Sequence, residues 1–85
     1  MHPAKVQLRG FNVQELMEIE KIVKNAKVIK TRDGVDMIFE NVNDARFFIS
    51  KLKARFSLIV KMSTESLGFD SRPRYLFVYS VRKRI

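Results

Sequence analysis

The chain has 85 residues, enough for one modest domain, and its 46% hydrophobic and 31% charged residues are the balance of a folded globular protein rather than a disordered one. It has no cysteine and a single histidine, His2, which excludes disulfides and thiolate metal sites, leaves no cofactor signature, and suits a reducing, cytoplasmic setting. The net charge of +8 points to a polyanionic partner, while the longest apolar run, Leu58-Ile59-Val60, falls far short of the about 20 residues that span a bilayer, so no membrane role is expected.

The start, Met1-His2-Pro3-Ala4-Lys5, has no apolar run before a small-residue cleavage site and predicts no signal peptide. Ala4 to Arg9 then alternates apolar Ala4, Val6 and Leu8 with polar Lys5, Gln7 and Arg9, the pattern of a strand wetted on one face. Gly10-Phe11 ends it. Asn12 followed by Glu15 forms a capping-box pattern, and Val13, Leu16, Ile19, Ile22, Val23 and Ala26 recur at helical spacing, which predicts a first helix closed by Asn25-Ala26. Lys27 to Thr31 reads as a short strand leading into Asp33-Gly34, a dipeptide suited to a hairpin turn with positive φ, and Val35 to Glu40 returns as a third strand. Asn41 or Asn43 caps a second helix whose Ala45, Phe48, Ile49, Leu52 and Phe56 form an apolar stripe. Leu58 to about Ser63 and Arg74 to Arg82 alternate as two further strands, paired across a Gly68-to-Pro73 loop.

This order, β-α-β-β-α-β-β, predicts one basic α+β domain over residues 1–85: a two-layer sandwich of ferredoxin-like β-α-β-β-α-β type with an added C-terminal strand. Both helices are expected on one face of a mainly antiparallel sheet.

Charge is distributed unevenly along this frame. Residues 1–45 carry seven bases and seven acids, whereas residues 46–85 carry ten bases against Glu65 and Asp70. Arg46, Lys51, Lys53 and Arg55 crowd the second helix; Lys61, Arg72, Arg74, Arg82, Lys83 and Arg84 belong to the terminal hairpin and its ends. Cations concentrated in this way neutralise phosphates and release counterions, so these residues are the expected RNA-binding surface; a solvated face that only maintains solubility is the plainer alternative.

The aromatic row Tyr75, Phe77 and Tyr79 is either a stacking platform for unpaired bases or part of the core. Leu76 and Val78 alternate with that row. Together with Ile38 and Ile59 they supply the rival reading, a small protein-interaction or homodimerisation domain using the open sheet face. Phe47 lies off the helix-two stripe and is either peripheral core or a contact residue. Catalysis is not expected: Asp36 and Glu40 share a strand face near lysines, Ser63 and Ser66 have no histidine partner, and no phosphate-cradling glycine loop is present.

Gly34-Val35-Asp36-Met37-Ile38-Phe39, followed by Ala45-Arg46-Phe47-Phe48-Ile49-Ser50-Lys51-Leu52, resembles a stretch of the nonsense-mediated decay protein three family, the export and assembly adaptors of the large ribosomal subunit. The similarity continues through Lys61-Met62-Ser63, Leu67, Asp70 and Tyr79-Ser80-Val81, so that it covers residues 34 to 85. The paired C-x-x-C zinc motifs of that family are absent, and its zinc-dependent activity is not carried over. What the resemblance implies is docking onto ribosomal RNA or a nascent large subunit, with ribosomal proteins as further partners.

Overall fold

The first strand, β1 (Ala4–Arg9), fully buries Ala4, Val6 and Leu8 and leaves Lys5, Gln7 and Arg9 half-buried, as its period-two pattern requires. The computed structural model, of which β1 is part, describes residues 2–23, 25–69 and 73–84. Helix α1 (Val13–Ile22) opens with the expected capping box: the Glu15 amide donates to Asn12 Oδ1 at 2.8 Å, and the Asn12 amide donates to Glu15 Oε1 at 3.0 Å.

The helix stops earlier than its apolar periodicity suggests. Val23 is already extended and Asn25 takes a left-handed φ of 61°, so that Ala26 begins β2 (Ala26–Lys30) instead of ending a helix. Val23 and Ala26 still pack against the core. Helical spacing alone cannot show that they do so from extended backbone. Val13, expected to face inward, is 73% exposed, and Ile19 is the buried residue of α1.

The hairpin into β3 (Gly34–Phe39) is closed by the Thr31 amide, which donates to the Gly34 carbonyl at 2.9 Å. Its turn does not use the positive φ expected at Asp33-Gly34; among the described residues that region holds only Asn25 and Gly10. Gly34 is required for a different reason, since a Cβ there would lie 2.1 Å from the Leu8 carbonyl oxygen. The absent side chain lets β3 approach β1.

Helix α2 (Val42–Lys53) is capped by Asn41, whose Oδ1 accepts from the Asn43 amide at 2.9 Å. It buries Ala45, Phe48, Ile49 and Leu52. Phe56 falls just beyond the helix and packs edge-on against Phe11 with ring centroids 5.5 Å apart. Strand β4 (Leu58–Phe69) runs well past its expected end at Ser63 and pairs with β5 (Pro73–Lys83). Twelve strand residues span about 40 Å, which accounts for the 44 Å long axis of a molecule 22 by 20 Å across.

The strands form one mixed sheet in the order β2-β3-β1-β5-β4, with β5 parallel to β1 and the other neighbours antiparallel. This corrects the expectation of a ferredoxin-like order with one strand appended: β5 is inserted between β1 and β4. The reason lies in its side chains. Strand β5 buries Val78 on one face and Tyr79 and Val81 on the other, which suits an interior strand, whereas β4 is exposed from Lys61 to Ser66 and suits the edge.

One cluster forms the core. It joins Ile19 of α1 and Ala45, Phe48, Ile49 and Leu52 of α2 to Ala4, Val6, Leu8, Val35, Met37, Phe39, Tyr79 and Val81 of the sheet. The sheet face carrying the last eight residues is the core face below; the opposite side is the outer face.

Candidate nucleic-acid interface

The strand registers fix what the outer face displays. One row across the sheet runs Lys27, Ile38, Lys5, Val78 and Ser63; the next runs Ile29, Asp36, Gln7, Ser80 and Lys61. A third aligns Gly34, Arg9, Arg82 and Ile59. Neighbouring strands are about 4.8 Å apart, so Arg9 lies directly beside Arg82, and Lys61 is one row and one strand from Arg82. These cations converge although they come from β1, β4 and β5.

Asp36 organises the β1 side of this surface. It is 8% exposed, with Arg9 Nη1 2.9 Å from its Oδ1 and Lys5 Nζ 3.8 Å from its Oδ2. The same Nη1 donates to the Leu8 carbonyl at 2.9 Å; its contact with Oδ1 is an ion pair, and Oδ1 accepts no hydrogen bond from the described residues. One carboxylate thus holds two cations that flank it on β1. Gly34 takes part as well: a Cβ at that position would stand 3.1 Å from Arg9 Nη1.

Of the ten cations singled out in the sequence, Lys61 and Arg82 are exposed on this outer face, and Arg84, two residues beyond Arg82, is exposed as well. Arg46 and Lys53 lie on the other side of β4, where with Ile49, Ser50, Val60, Met62 and Tyr79 they line a shallow groove between α2 and the hairpin. There Arg46 Nε donates to the Tyr79 hydroxyl at 3.0 Å. Lys51 is turned away from that groove, with its ammonium 4.7 Å from the ring centre of Phe47, which is 64% exposed. Arg55 is exposed in the turn after α2.

Lys83 is engaged internally. It contacts the Glu15 carboxylate and stands 5.8 Å from the Phe56 ring centre. The Asn12 amide, and after it the Lys83 ammonium, hold the Glu15 carboxyl below its ordinary value of 4.5. Arg72 lies outside the described residues, as does the side chain of Arg74.

Among the described side chains, Lys61 and Arg82 therefore lie on one side of the β4 edge and Arg46 and Lys53 on the other. Lys5, Arg9 and Lys27 share the outer face without having been singled out. The alternation of Lys5, Gln7 and Arg9 marks them, and a sum of charge by halves hides them.

The apolar residues that suggested a self-association surface, Ile38, Ile59, Leu76 and Val78, do lie on the outer face. Val78 is buried and Ile38 and Leu76 are half-buried, which leaves Ile59 at 39% exposure among charged and polar neighbours. The aromatic row lies on the core face and grades along the hairpin: Tyr79 is buried, Phe77 packs against the core and Tyr75 is 48% exposed.

A family model described as "NMD3, second domain" matches residues 2–82. The chain belongs to the NMD3 family. The match reaches back through β1 and α1, beyond the stretch from Gly34 onward in which the resemblance was legible. Family membership carries a general link to ribosome-related function and to association with ribosomal subunits. No curated protein sequence matches the chain.

Proposed function

We propose that this domain is a non-enzymatic RNA-binding module that docks on ribosomal RNA or a nascent large subunit through the outer face of its sheet. The observation carrying the reading is the register that sets Arg9 beside Arg82, with Lys61 on the adjoining strand. Three cations within a few strand spacings can contact successive phosphates, and such contacts set affinity and orientation rather than base identity. Arg46 and Lys53 extend the positive potential to the other side of β4, and Arg84 extends it past the end of β5. The family's ribosomal link supplies the class of RNA, and ribosomal proteins bordering that RNA are the natural second contacts.

Filter binding to a structured ribosomal RNA fragment at rising salt tests the proposal. The affinity is expected to fall steeply with salt, and Lys61→Glu with Arg82→Glu should weaken binding and lower the salt slope by about 2. Absence of binding at low salt, or a double variant that binds like the parent, refutes it.

A further inference from the structure

The two edges of the sheet differ. Strand β2 is an edge of five residues carrying Lys27 and Lys30 and beginning just after the left-handed Asn25. Strand β4 is an edge of twelve residues without proline, in unbroken register with β5 from Leu58 to Ser66. A long, regular edge is a template for another strand unless something blocks it.

The hydrogen-bond phase shows which backbone groups are available. The Arg84 amide donates to the Ser57 carbonyl at 2.8 Å, making Ser57 and Arg84 a hydrogen-bonded antiparallel pair. Alternation along the register then directs Ile59, Lys61, Ser63 and Glu65 towards β5. It turns the N–H and C=O of Leu58, Val60, Met62, Thr64 and Ser66 away from the sheet. An independent bond agrees: Phe77, opposite Thr64, sends its amide to the Pro3 carbonyl on the β1 side at 3.2 Å.

We propose that β4 receives an extended acidic segment of a partner protein as a sixth strand, with the outward groups of Leu58 to Ser66 supplying the ladder. Charge selects the occupant. Alternate side chains of an added strand would project over the α2 groove, where Arg46 and Lys53 meet carboxylates and Ile49, Val60 and Met62 meet apolar groups. A second copy of this chain, itself at +8, would bring a second Arg46 and Lys53 beside the first on the same side of the joined sheet. The strand proposal shares β4, Arg46 and Lys53 with the RNA reading but rests on the backbone edge, which a peptide without RNA tests by itself.

Amide exchange by NMR on the full chain gives the test. The free protein should show alternation, with the amides of Val60, Met62, Thr64 and Ser66 exchanging fast and those of Ile59, Lys61, Ser63 and Glu65 slow. A synthetic peptide alternating glutamate and valine should slow the fast set, and its lysine counterpart should not. Met62→Pro removes an outward amide that β5 does not use, so the hairpin should persist while peptide binding is lost; Thr64→Pro is the parallel variant. Ser63→Pro should instead disrupt the hairpin. Fast amides unmoved by the acidic peptide, equal effects of both peptides, or protection that grows with protein concentration alone would overturn the proposal.

Discussion

On the outer face, the cations of β1 and those of the terminal hairpin have the same chemistry and different surroundings. Lys5 and Arg9 are about three-quarters covered and share the carboxylate of Asp36, whereas Lys61 and Arg82 are exposed and form no ion pair among the described residues. The first pair offers a partner only its uncovered part and a charge already shared with a carboxylate; the second is wholly available. A count of charges misses this difference, because it depends on whether a carboxylate lies in the neighbouring register position.

The comparison breaks most severely at Gly34. Gly34→Val would drive a side chain into the Leu8 carbonyl and the Arg9 guanidinium, separating β3 from β1. A loss of more than about 4 kcal/mol in chemical denaturation, or failure to fold, is expected; a variant of parental stability would remove the close-approach argument.

Asp36→Ala sharpens the contrast by freeing Lys5 and Arg9 to resemble Lys61 and Arg82. Stability should fall by roughly 2 kcal/mol, less than for a fully buried pair because both cations retain some solvent. RNA affinity at low salt should rise, and an affinity that falls in step with stability would show that Asp36 itself contributes to binding.

At the α1 end the effects are smaller. Asn12→Ala removes the cap and should cost about 1 kcal/mol in thermal or denaturant unfolding. Glu15 supplies a pH signature. Its carboxyl is held below 4.5 by the Asn12 amide and Lys83, so its stabilising contribution is complete at neutral pH and is lost as pH falls through the lowered value. Glu15→Gln should flatten that acid-side decline in stability; an unchanged decline would place its origin elsewhere.

Much of this frame was legible in the sequence. Period-two alternation located β1 and β3, the Asn12/Glu15 pattern gave the α1 cap, and the apolar stripe gave α2. The strand order was less legible, because alternation in β5 was compatible with an edge or an interior place until Val78 proved buried on the face opposite Tyr79. The end of α1 was hidden by a spacing that suits a helix and is also satisfied by Val23 and Ala26 from extended backbone. In the candidate site, Lys61 and Arg82 could be named in advance, but their proximity to Arg9 required the parallel pairing of β1 with β5, a contact between the two ends of the chain. Lys83, one residue from Arg82, looked equivalent to it, although strand alternation turns it to the core face and Glu15.

The most direct measurement is an NMR titration of the labelled chain with a structured ribosomal RNA fragment at low salt, followed by addition of salt. Shifts centred on Arg9, Lys61 and Arg82, with Phe47 and Lys51 little affected and reversal as salt rises, are the predicted result. Shifts centred on Phe47 and Lys51, or none at any salt, would contradict it.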